Sequence, residues 1–214
     1  MTDLTYYQRN LPHRLPAGES IFVTFRLASS LPRTVVEQLR VQLRQVQQAE
    51  SRIAADEMSN RRKRYFRHFD QLLDQATTGP MWLSRPDVAE VVKASLHHFD
   101  GDEYELICYC LMPNHVHMLV RLPENAPPLT RTLQRLKGYS GRQANLLLNR
   151  EGAFWQPESY DHVVRNGDEM QRVIAYVLEN PVKAGLVADW QKWPYSYWRD
   201  TQYGVARVRR CTAL

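Results

Sequence analysis

The hydrophobic positions of the chain fall into four segments with the composition of β-strands. Residues 21–27 (IFVTFRL) are rich in β-branched and aromatic residues, which favours a strand. Residues 104–112 and 115–121 predict two more strands, joined through a Pro-Asn dipeptide. Residues 154–165 have a mixed pattern, which we interpret as extended chain.

Between these segments, apolar residues recur at helical spacing. The recurrence predicts helices over residues 34–77, 86–98, 129–150 and 168–180. Pro181 is expected to end the last helix, because the residue before a proline disfavours the helical conformation. Strands and helices alternate without an internal repeat. This order predicts an α+β or α/β domain in which helices cover one layer of sheet.

The length and composition of the chain suit one globular domain. Its 214 residues are 43% hydrophobic, which is enough to form a core. We expect a single domain over residues 1–200 and a basic, flexible tail over residues 201–214. The net charge of +5 suits a polyanionic partner without proving one.

The cysteines and the hydropathy indicate a cytoplasmic protein. The three cysteines form no disulfide framework, and Cys108 and Cys110 are better explained as small buried residues than as a zinc site. No apolar run is long enough to cross a bilayer, and the first residues contain no apolar signal core. We therefore expect no membrane partner.

Two histidines on the third predicted strand are candidate metal ligands. Side chains alternate between the faces of a strand, so His115 and His117 share one face and Val116 and Met118 lie on the other. Neutral imidazole is a common ligand of divalent metals, and two imidazoles on one strand form a rigid pair. The H-x-H pattern alone also fits two half-buried histidines that bind no metal.

Tyr176 is the candidate nucleophile of the last predicted helix. The apolar stripe of this helix leaves Tyr176 on its polar shoulder, where the phenol can face a cleft. Asn180 follows one turn later on the same shoulder, and its amide oxygen could reach an ion held by the histidines. Packing of Tyr176 against a strand, with Asn180 as an ordinary helix-end residue, is the alternative. Tyr139, which lies between Gly138 and Gly141, is the rival tyrosine.

Several motifs, taken in order, resemble a known family. The segment Met112–His117 (MPNHVH) resembles the His-hydrophobic-His signature of the HUH single-strand nucleases. The segments 154–162 (FWQPESYDH), 176–187 (YVLENPVKAGLV) and 193–196 (WPYS) resemble the REP-associated tyrosine transposases, which have an IS200-like domain. Together these motifs cover most of residues 104–198.

The resemblance implies an α+β fold with a ferredoxin-like or RRM-like antiparallel sheet, covering helices and a helical insertion at about residues 34–98. It implies that His115 and His117 bind a divalent metal, Mg²⁺ or Mn²⁺, and that Asn180 is the third ligand. It also implies that Tyr176 is the nucleophile.

The implied function is that of a metal-dependent transposase that nicks and rejoins single-stranded DNA through a 5′-phosphotyrosine. The partner is single-stranded or hairpin DNA, of the REP type, bound by a monomer or a homodimer. Candidate contacts to the DNA backbone are Arg131, Arg135, Lys137, Arg142, Arg165 and Lys183. The alternatives are a domesticated hairpin-binding protein without catalysis and a metal-dependent hydrolase that uses water in place of tyrosine.

Overall fold

The computed structural model of this chain describes residues 18–48, 54–76 and 78–199. The tail predicted over residues 201–214 lies outside the described residues. The strands within the described ranges form one antiparallel sheet in the order β4-β1-β3-β2-β5. They are β1 (Ser20–Leu27), β2 (Glu105–Leu111), β3 (His115–Arg121), β4 (Trp155–Val164) and β5 (Ser196–Trp198).

The helices of the described residues lie within or close to the predicted segments, except that the segment predicted as one helix over residues 34–77 contains two helices. They are α1 (Arg33–Gln48), α2 (Ala55–Asp74), α3 (Pro86–His98), α4 (Leu129–Leu147) and α5 (Gly167–Lys183). Short 3-10 turns occur at Trp82–Ser84 and Trp190–Lys192. None of the helices in these ranges combines the length and the apolar character needed to cross a membrane.

The order of the elements confirms the predicted α+β fold with a ferredoxin-like sheet. The sequence β1-α3-β2-β3-α4-β4, with sheet order β4-β1-β3-β2, is the split βαβ arrangement, and β5 extends it at one edge. Helix α3 belongs to this framework because it connects β1 to the β2–β3 hairpin. The insertion is therefore narrower than the predicted range 34–98 and consists of α1 and α2.

The two faces of the sheet bury different clusters. Alternate residues of β1 and β3 pack against α3 and α4 in the larger cluster, among them Ile21, Val23, Phe25, Val116 and Met118. The opposite face packs against α5 through Phe22, Leu119, Ile174, Val177 and Leu178. This second face also contains polar residues that are buried: Thr24, Arg26, His115 and His117. Buried polar groups require partners or a ligand, so they mark the face on which a site can lie.

Pro181 does not end α5, contrary to the expectation from sequence. The helix continues to Lys183, with Pro181 in its last turn. Pro181 has no amide to donate to the carbonyl four residues earlier, so the helix loses one hydrogen bond and continues for only two residues beyond it. After the helix ends at Lys183, Gly185 has a left-handed φ of 70°. The amide of Leu186 then donates to the carbonyl of Pro181 at 2.9 Å.

Candidate metal and tyrosine site

The predicted histidine pair forms the centre of the site. His115 and His117 lie on β3 and project from the same face, and both side chains are fully buried. Their Nε2 atoms lie 2.9 Å apart. Thr24 on β1 is the register partner of His117. The alternation of the strand thus places both imidazoles in one enclosed pocket.

Asn114 fixes the tautomer of His115. Its Nδ2 atom donates to the carbonyl of Leu73 at 3.0 Å, so its Oδ1 atom is the one that faces His115. Oδ1 lies 2.6 Å from Nδ1 of His115 and can only accept a hydrogen bond. The His115 proton is therefore on Nδ1, and Nε2 presents a lone pair to the pocket.

Thr24 can hold His117 in the same tautomer as His115, with the proton on Nδ1. Its hydroxyl oxygen lies 2.8 Å from Nδ1 of His117 and can either donate or accept. When it accepts, Nε2 of His117 also presents a lone pair, next to that of His115. Two such lone pairs repel one another unless a cation lies between them. The pair is therefore suited to a bound metal ion.

Helix α2 adds two carboxylates to the pocket. Oδ1 of Asp70 lies 3.2 Å from Nε2 of His117 and 3.9 Å from Nε2 of His115. Oδ1 of Asp74 lies 3.9 Å from Nε2 of His115. Asp70, His115 and His117 each offer a ligand atom, and all of these atoms lie within 4.8 Å of one another. This buried group could hold a metal ion.

Tyr176 on α5 faces the same pocket. Its phenol donates a hydrogen bond to Oδ2 of Asp70. Its ring centroid lies 5.6 Å from that of His117 and 6.0 Å from that of Phe22. The Nζ atom of Lys183 lies 4.6 Å above the Tyr176 ring. The predicted histidines and tyrosine are therefore brought together within one chain.

Asn180 is buried one turn after Tyr176, as the helical spacing predicts. Neither its amide nitrogen nor its amide oxygen has a hydrogen-bond partner among the described residues. A buried amide without a partner is costly and requires an explanation. A ligand in the pocket, held through the amide oxygen, would provide one.

The buried groups shift one another's protonation. Burial alone would raise the pKa of Asp70, but attraction to His117 and His115 and the hydrogen bond from Tyr176 lower it to about 2. Burial and repulsion from Asp70 raise the pKa of Asp74 to about 7. Burial and repulsion from His117 lower the pKa of His115 to about 3, so this imidazole is neutral and able to bind a metal.

Burial also opposes ionisation of Tyr176. Burial, the negative charges of Asp70 and Asp74 and the hydrogen bond to Asp70 raise the pKa of the phenol well above 10, and Asn180 opposes the shift. The phenol is protonated in this arrangement. Reaction as a nucleophile therefore requires positive charge close to its oxygen, which a divalent cation in the pocket would supply.

Asp70 and Asp74 were not among the residues predicted from sequence. The signal was present, because Asp70 lies between Phe66 and Leu73 on the apolar stripe of the helix. A carboxylate among apolar residues is either buried beside polar partners or kept in water, and in the second case its apolar neighbours are exposed as well. The sequence alone could not show that this helix packs over the histidines.

Three kinds of contact, between aromatic rings, between charges and by a hydrogen bond, fix α2 over the pocket. The ring of Phe66 lies 4.2 Å from that of Tyr160 and 5.9 Å from that of Tyr176. Nζ of Lys63 lies 3.2 Å from Oε1 of Glu169 on α5. The third contact is the hydrogen bond from Asn114 on the β2–β3 hairpin to the last turn of α2. The insertion therefore forms one wall of the site.

A groove of about 620 Å³ runs around the β4 edge of the sheet, next to the histidine pocket. Its lining includes Thr24 and Tyr160, which border the pocket, and cationic and aromatic side chains from α1, α2 and α4. Those side chains are Arg40, Tyr65, Phe69, Lys137 and Arg142. A groove that combines cations with aromatic rings suits a single nucleic-acid strand.

The groove is lined by some of the candidate DNA contacts and not by others. Lys137 and Arg142 line the groove, whereas Arg131 and Arg135 are not among its lining residues. Arg135 pairs with Glu103 and lies 4.9 Å over the ring of Phe99. The exposed Arg165 immediately precedes the N-cap of α5.

Tyr139, the rival tyrosine, lies away from the histidines. It is on α4, which packs on the opposite face of the sheet, and it is 61% exposed. Tyr176 is therefore the tyrosine that the fold places beside the candidate metal ligands.

The chain resembles known transposases. Residues 83–180 match the family model described as IS200-like transposase. Two similar proteins bear the name REP-associated tyrosine transposase. The one from Haemophilus influenzae is 31% identical over 109 residues, which cover 46% of this chain and 62% of that protein. The one from Escherichia coli is 27% identical over 103 residues, which cover 48% of this chain and 59% of that protein.

A solved structure of a REP-associated tyrosine transposase bound to a REP hairpin aligns with a TM-score of 0.44 and 20% identity, over 92% of this chain and 82% of that chain. The matches to the two curated relatives span about three fifths of their length. The matched segment contains the histidine pair, Tyr176 and Asn180, whereas Asp70 and Asp74 precede it.

Proposed function

We propose that this chain, which matches the IS200-like transposase model at residues 83–180 and is similar to the REP-associated tyrosine transposases, nicks and rejoins single-stranded DNA through a covalent bond to Tyr176. The observation that carries the proposal is the shared pocket. The ring of Tyr176 lies 5.6 Å from that of His117, and the phenol is hydrogen-bonded to a carboxylate that also approaches the histidines.

We propose that His115 and His117 hold a divalent metal ion, Mg²⁺ or Mn²⁺, with Asn180 as a further ligand. Ligands at right angles around an ion with bonds of 2.0–2.2 Å lie about 3 Å apart. The two Nε2 atoms, 2.9 Å apart, match that spacing. Such an ion would supply positive charge that polarises the scissile phosphate and lowers the cost of an ionised phenol beside it.

The reaction transfers one phosphodiester bond without an external energy source. The phenol oxygen of Tyr176 forms a bond to phosphorus, and the bond from phosphorus to the 3′ oxygen breaks. The phenol loses its proton, and the leaving strand gains one to end as a 3′-hydroxyl. The 5′-phosphotyrosine retains the energy of the broken bond, so a 3′-hydroxyl can attack it and rejoin the strand.

The groove around β4 gives the DNA strand a route to the pocket. We propose that Lys137 and Arg142 contact the backbone there, and that Lys183, close to the Tyr176 ring, contacts the strand near the scissile phosphate. Arg165, exposed before α5, is a further contact. Arg131 and Arg135 can meet only a more distant part of the DNA, since they do not line the groove.

The names of the curated relatives indicate the first substrate to test, which is a REP-type DNA hairpin with single-stranded flanks. The experiment incubates the chain with this labelled DNA and Mg²⁺ or Mn²⁺ and separates the products on a denaturing gel. A metal-dependent protein–DNA adduct is expected for the wild type and for Tyr139→Phe, and none for Tyr176→Phe. Cleavage by Tyr176→Phe without an adduct would contradict the proposal and indicate a hydrolase that uses water.

A non-catalytic hairpin-binding protein is the second candidate, and the closure of the pocket favours it. His115 and His117 are fully buried, and Asp70 of α2 lies 3.2 Å from Nε2 of His117, so the closed pocket suits a structural role better than contact with a phosphate. Tight binding of hairpins without an adduct, with both metals and with varied flanks, would support this candidate. In that case the pocket would have a structural role.

A further inference from the structure

We propose that Asp70, on the inserted helix α2, is the anionic ligand of the metal ion, so that the insertion supplies part of the active site. The inference rests on the proposed function, in which His115 and His117 hold that ion. The predicted ligand set consists of two imidazoles and one amide, all neutral. Magnesium and manganese favour oxygen ligands, and carboxylates in particular, so a set with an added carboxylate suits them better.

The position of the Asp70 carboxylate matches that role. Oδ1 lies 3.2 Å from Nε2 of His117, close to the spacing of about 3 Å expected for neighbouring ligands. Oδ1 makes no well-aligned hydrogen bond with the described residues, so it is available to a cation in the pocket. Asp70 is 4% exposed, which leaves its charge without compensation from water.

A second, independent observation points to a ligand in the same pocket. Both polar atoms of Asn180, which is 1% exposed, also have no partner among the described residues. Asn180 comes from α5 and Asp70 from α2, so unsatisfied oxygens enter the pocket from two helices. A cation bound between these two oxygens and the two imidazoles would give each oxygen a partner.

The other oxygen of Asp70 connects the ion to the nucleophile. Oδ2 accepts the hydrogen bond of the Tyr176 phenol. A carboxylate that binds the ion through Oδ1 and the phenol through Oδ2 holds the nucleophile beside the metal before DNA arrives. Asp70 is in this respect a positioning residue for Tyr176.

The helix is anchored firmly enough to hold a ligand. The last turn of α2 accepts the hydrogen bond from Asn114, which also orients His115. Nearer the start of α2, Lys63 forms an ion pair with Glu169 of α5. Asp74 lies one turn after Asp70 and is 22% exposed at its side chain, and the histidine nitrogen within 4 Å of its carboxylate is Nε2 of His115, at 3.9 Å. It is therefore the matched control for Asp70.

The test measures Mn²⁺ binding directly, from the electron paramagnetic resonance signal of free Mn²⁺ during titration of the full chain. The variants are Asp70→Ala, Asp70→Asn, Asp74→Asn and His117→Ala, each checked for folding by circular dichroism. We expect Asp70→Ala to weaken Mn²⁺ binding at least about tenfold, as His117→Ala does, and Asp74→Asn to change it less than about threefold.

A change of metal preference keeps the test decisive if the alanine variant folds poorly. Asp70→Cys places a soft thiolate beside two imidazoles, which favours Co²⁺ and Cd²⁺ over Mn²⁺. Addition of Co²⁺ is expected to produce a thiolate charge-transfer absorption with Asp70→Cys. Asp74→Cys is expected to produce none.

The outcomes separate this inference from the proposed function. Wild-type Mn²⁺ affinity in Asp70→Ala, with loss in His117→Ala, overturns the inference and leaves the nicking proposal intact. Binding that depends on Asp70, in a chain that forms no adduct with DNA, supports the inference and contradicts the nicking proposal. A wild type that binds no Mn²⁺ overturns both.

Discussion

Asp70 and Tyr176 lie 106 positions apart in the chain, and the phenol of Tyr176 donates a hydrogen bond to the Asp70 carboxylate. Asp70 comes from a helix inserted between the first strand and the framework helix α3, whereas Tyr176 comes from the last helix. The contact therefore joins the segment that precedes the family match to the segment that contains the candidate nucleophile. The insertion therefore contacts the candidate nucleophile directly.

The hydroxyl of Thr24 is expected to support metal binding through His117. Thr24→Val keeps the shape of the side chain but removes the oxygen that lies 2.8 Å from Nδ1 of His117. Without that partner, Nε2 of His117 is less well oriented toward the ion, and we expect about tenfold weaker Mn²⁺ binding. Titration calorimetry with Mn²⁺ measures the change.

Thr132→Val is the control for this prediction. It removes the buried hydroxyl of Thr132, which donates a hydrogen bond to Glu103. Thr132 is on α4, and this helix packs on the face of the sheet opposite the histidines. Equal loss of Mn²⁺ affinity in both variants would show that a general loss of stability, and not the orientation of His117, explains the effect.

Asp74→Asn is expected to stabilise the metal-free protein at alkaline pH. The folded pKa of Asp74 is raised from 3.8 to about 7, so the folded state must ionise a buried carboxyl above that pH, while the unfolded chain ionises it freely. Stability is therefore lost as the pH rises from 3.8 through about 7. This change in the pKa corresponds to roughly 4 kcal/mol in the free energy of unfolding. Because water reaches part of the Asp74 side chain, we expect Asp74→Asn to raise the free energy of unfolding by about 2 kcal/mol.

The measurement is urea unfolding in a chelator at about pH 8 and about pH 4. The stabilisation by Asp74→Asn should be present at the higher pH and largely absent at the lower one. An equal effect at both would show that lost contacts, and not ionisation, cause it. Asp70→Asn should instead destabilise the fold at both of these pH values, because the lowered pKa of Asp70 stabilises the fold above pH 3.8 and this contribution is lost only as the pH falls toward 2.

Arg142 and Arg135 are expected to differ in their effect on DNA binding, although both are on α4. Arg142 lines the groove, whereas Arg135 is paired with Glu103. Arg142→Ala should weaken binding to single-stranded DNA and reduce the slope of log K against log salt by about 0.7, the value for one phosphate contact on a single strand. Arg135→Ala should leave the slope unchanged.

Fluorescence anisotropy over a range of salt concentrations checks this pair. A reduced slope in Arg135→Ala and an unchanged slope in Arg142→Ala would assign the DNA to the other side of α4. The groove around β4 would then not be the path of the strand.

The two glycines of α4 are expected to respond oppositely to alanine. A Cβ atom on Gly141 would lie 3.2 Å from Cβ of Phe154 and 3.4 Å from Cδ1 of Trp155, so Gly141→Ala should destabilise the fold by about 1–2 kcal/mol. A Cβ atom on Gly138 would meet nothing within 4 Å, so Gly138→Ala should stabilise by about 0.5–1 kcal/mol through helix propensity. Urea unfolding measures both changes, and a stable Gly141→Ala variant would contradict the close packing of α4 on β4.

Local periodicity explains what could be read from the sequence. A strand alternates its side chains, so the H-x-H pattern was sufficient to place His115 and His117 on one face, opposite Val116 and Met118. A helix turns by about 100° per residue, so the apolar stripe of α5 was sufficient to place Tyr176 and Asn180 together on its shoulder. Both inferences depend only on residues close together in the chain.

Contacts between distant segments decided the rest. Asp70 enters the pocket because α2 packs across the sheet, and Arg135 is held by Glu103, a residue 32 positions away. Periodicity does not fix the position of one helix relative to a strand that follows 40 residues later. The sequence therefore determined which side chains share a face of their own element, and only the tertiary structure decided which faces meet, because that depends on packing summed over the whole core.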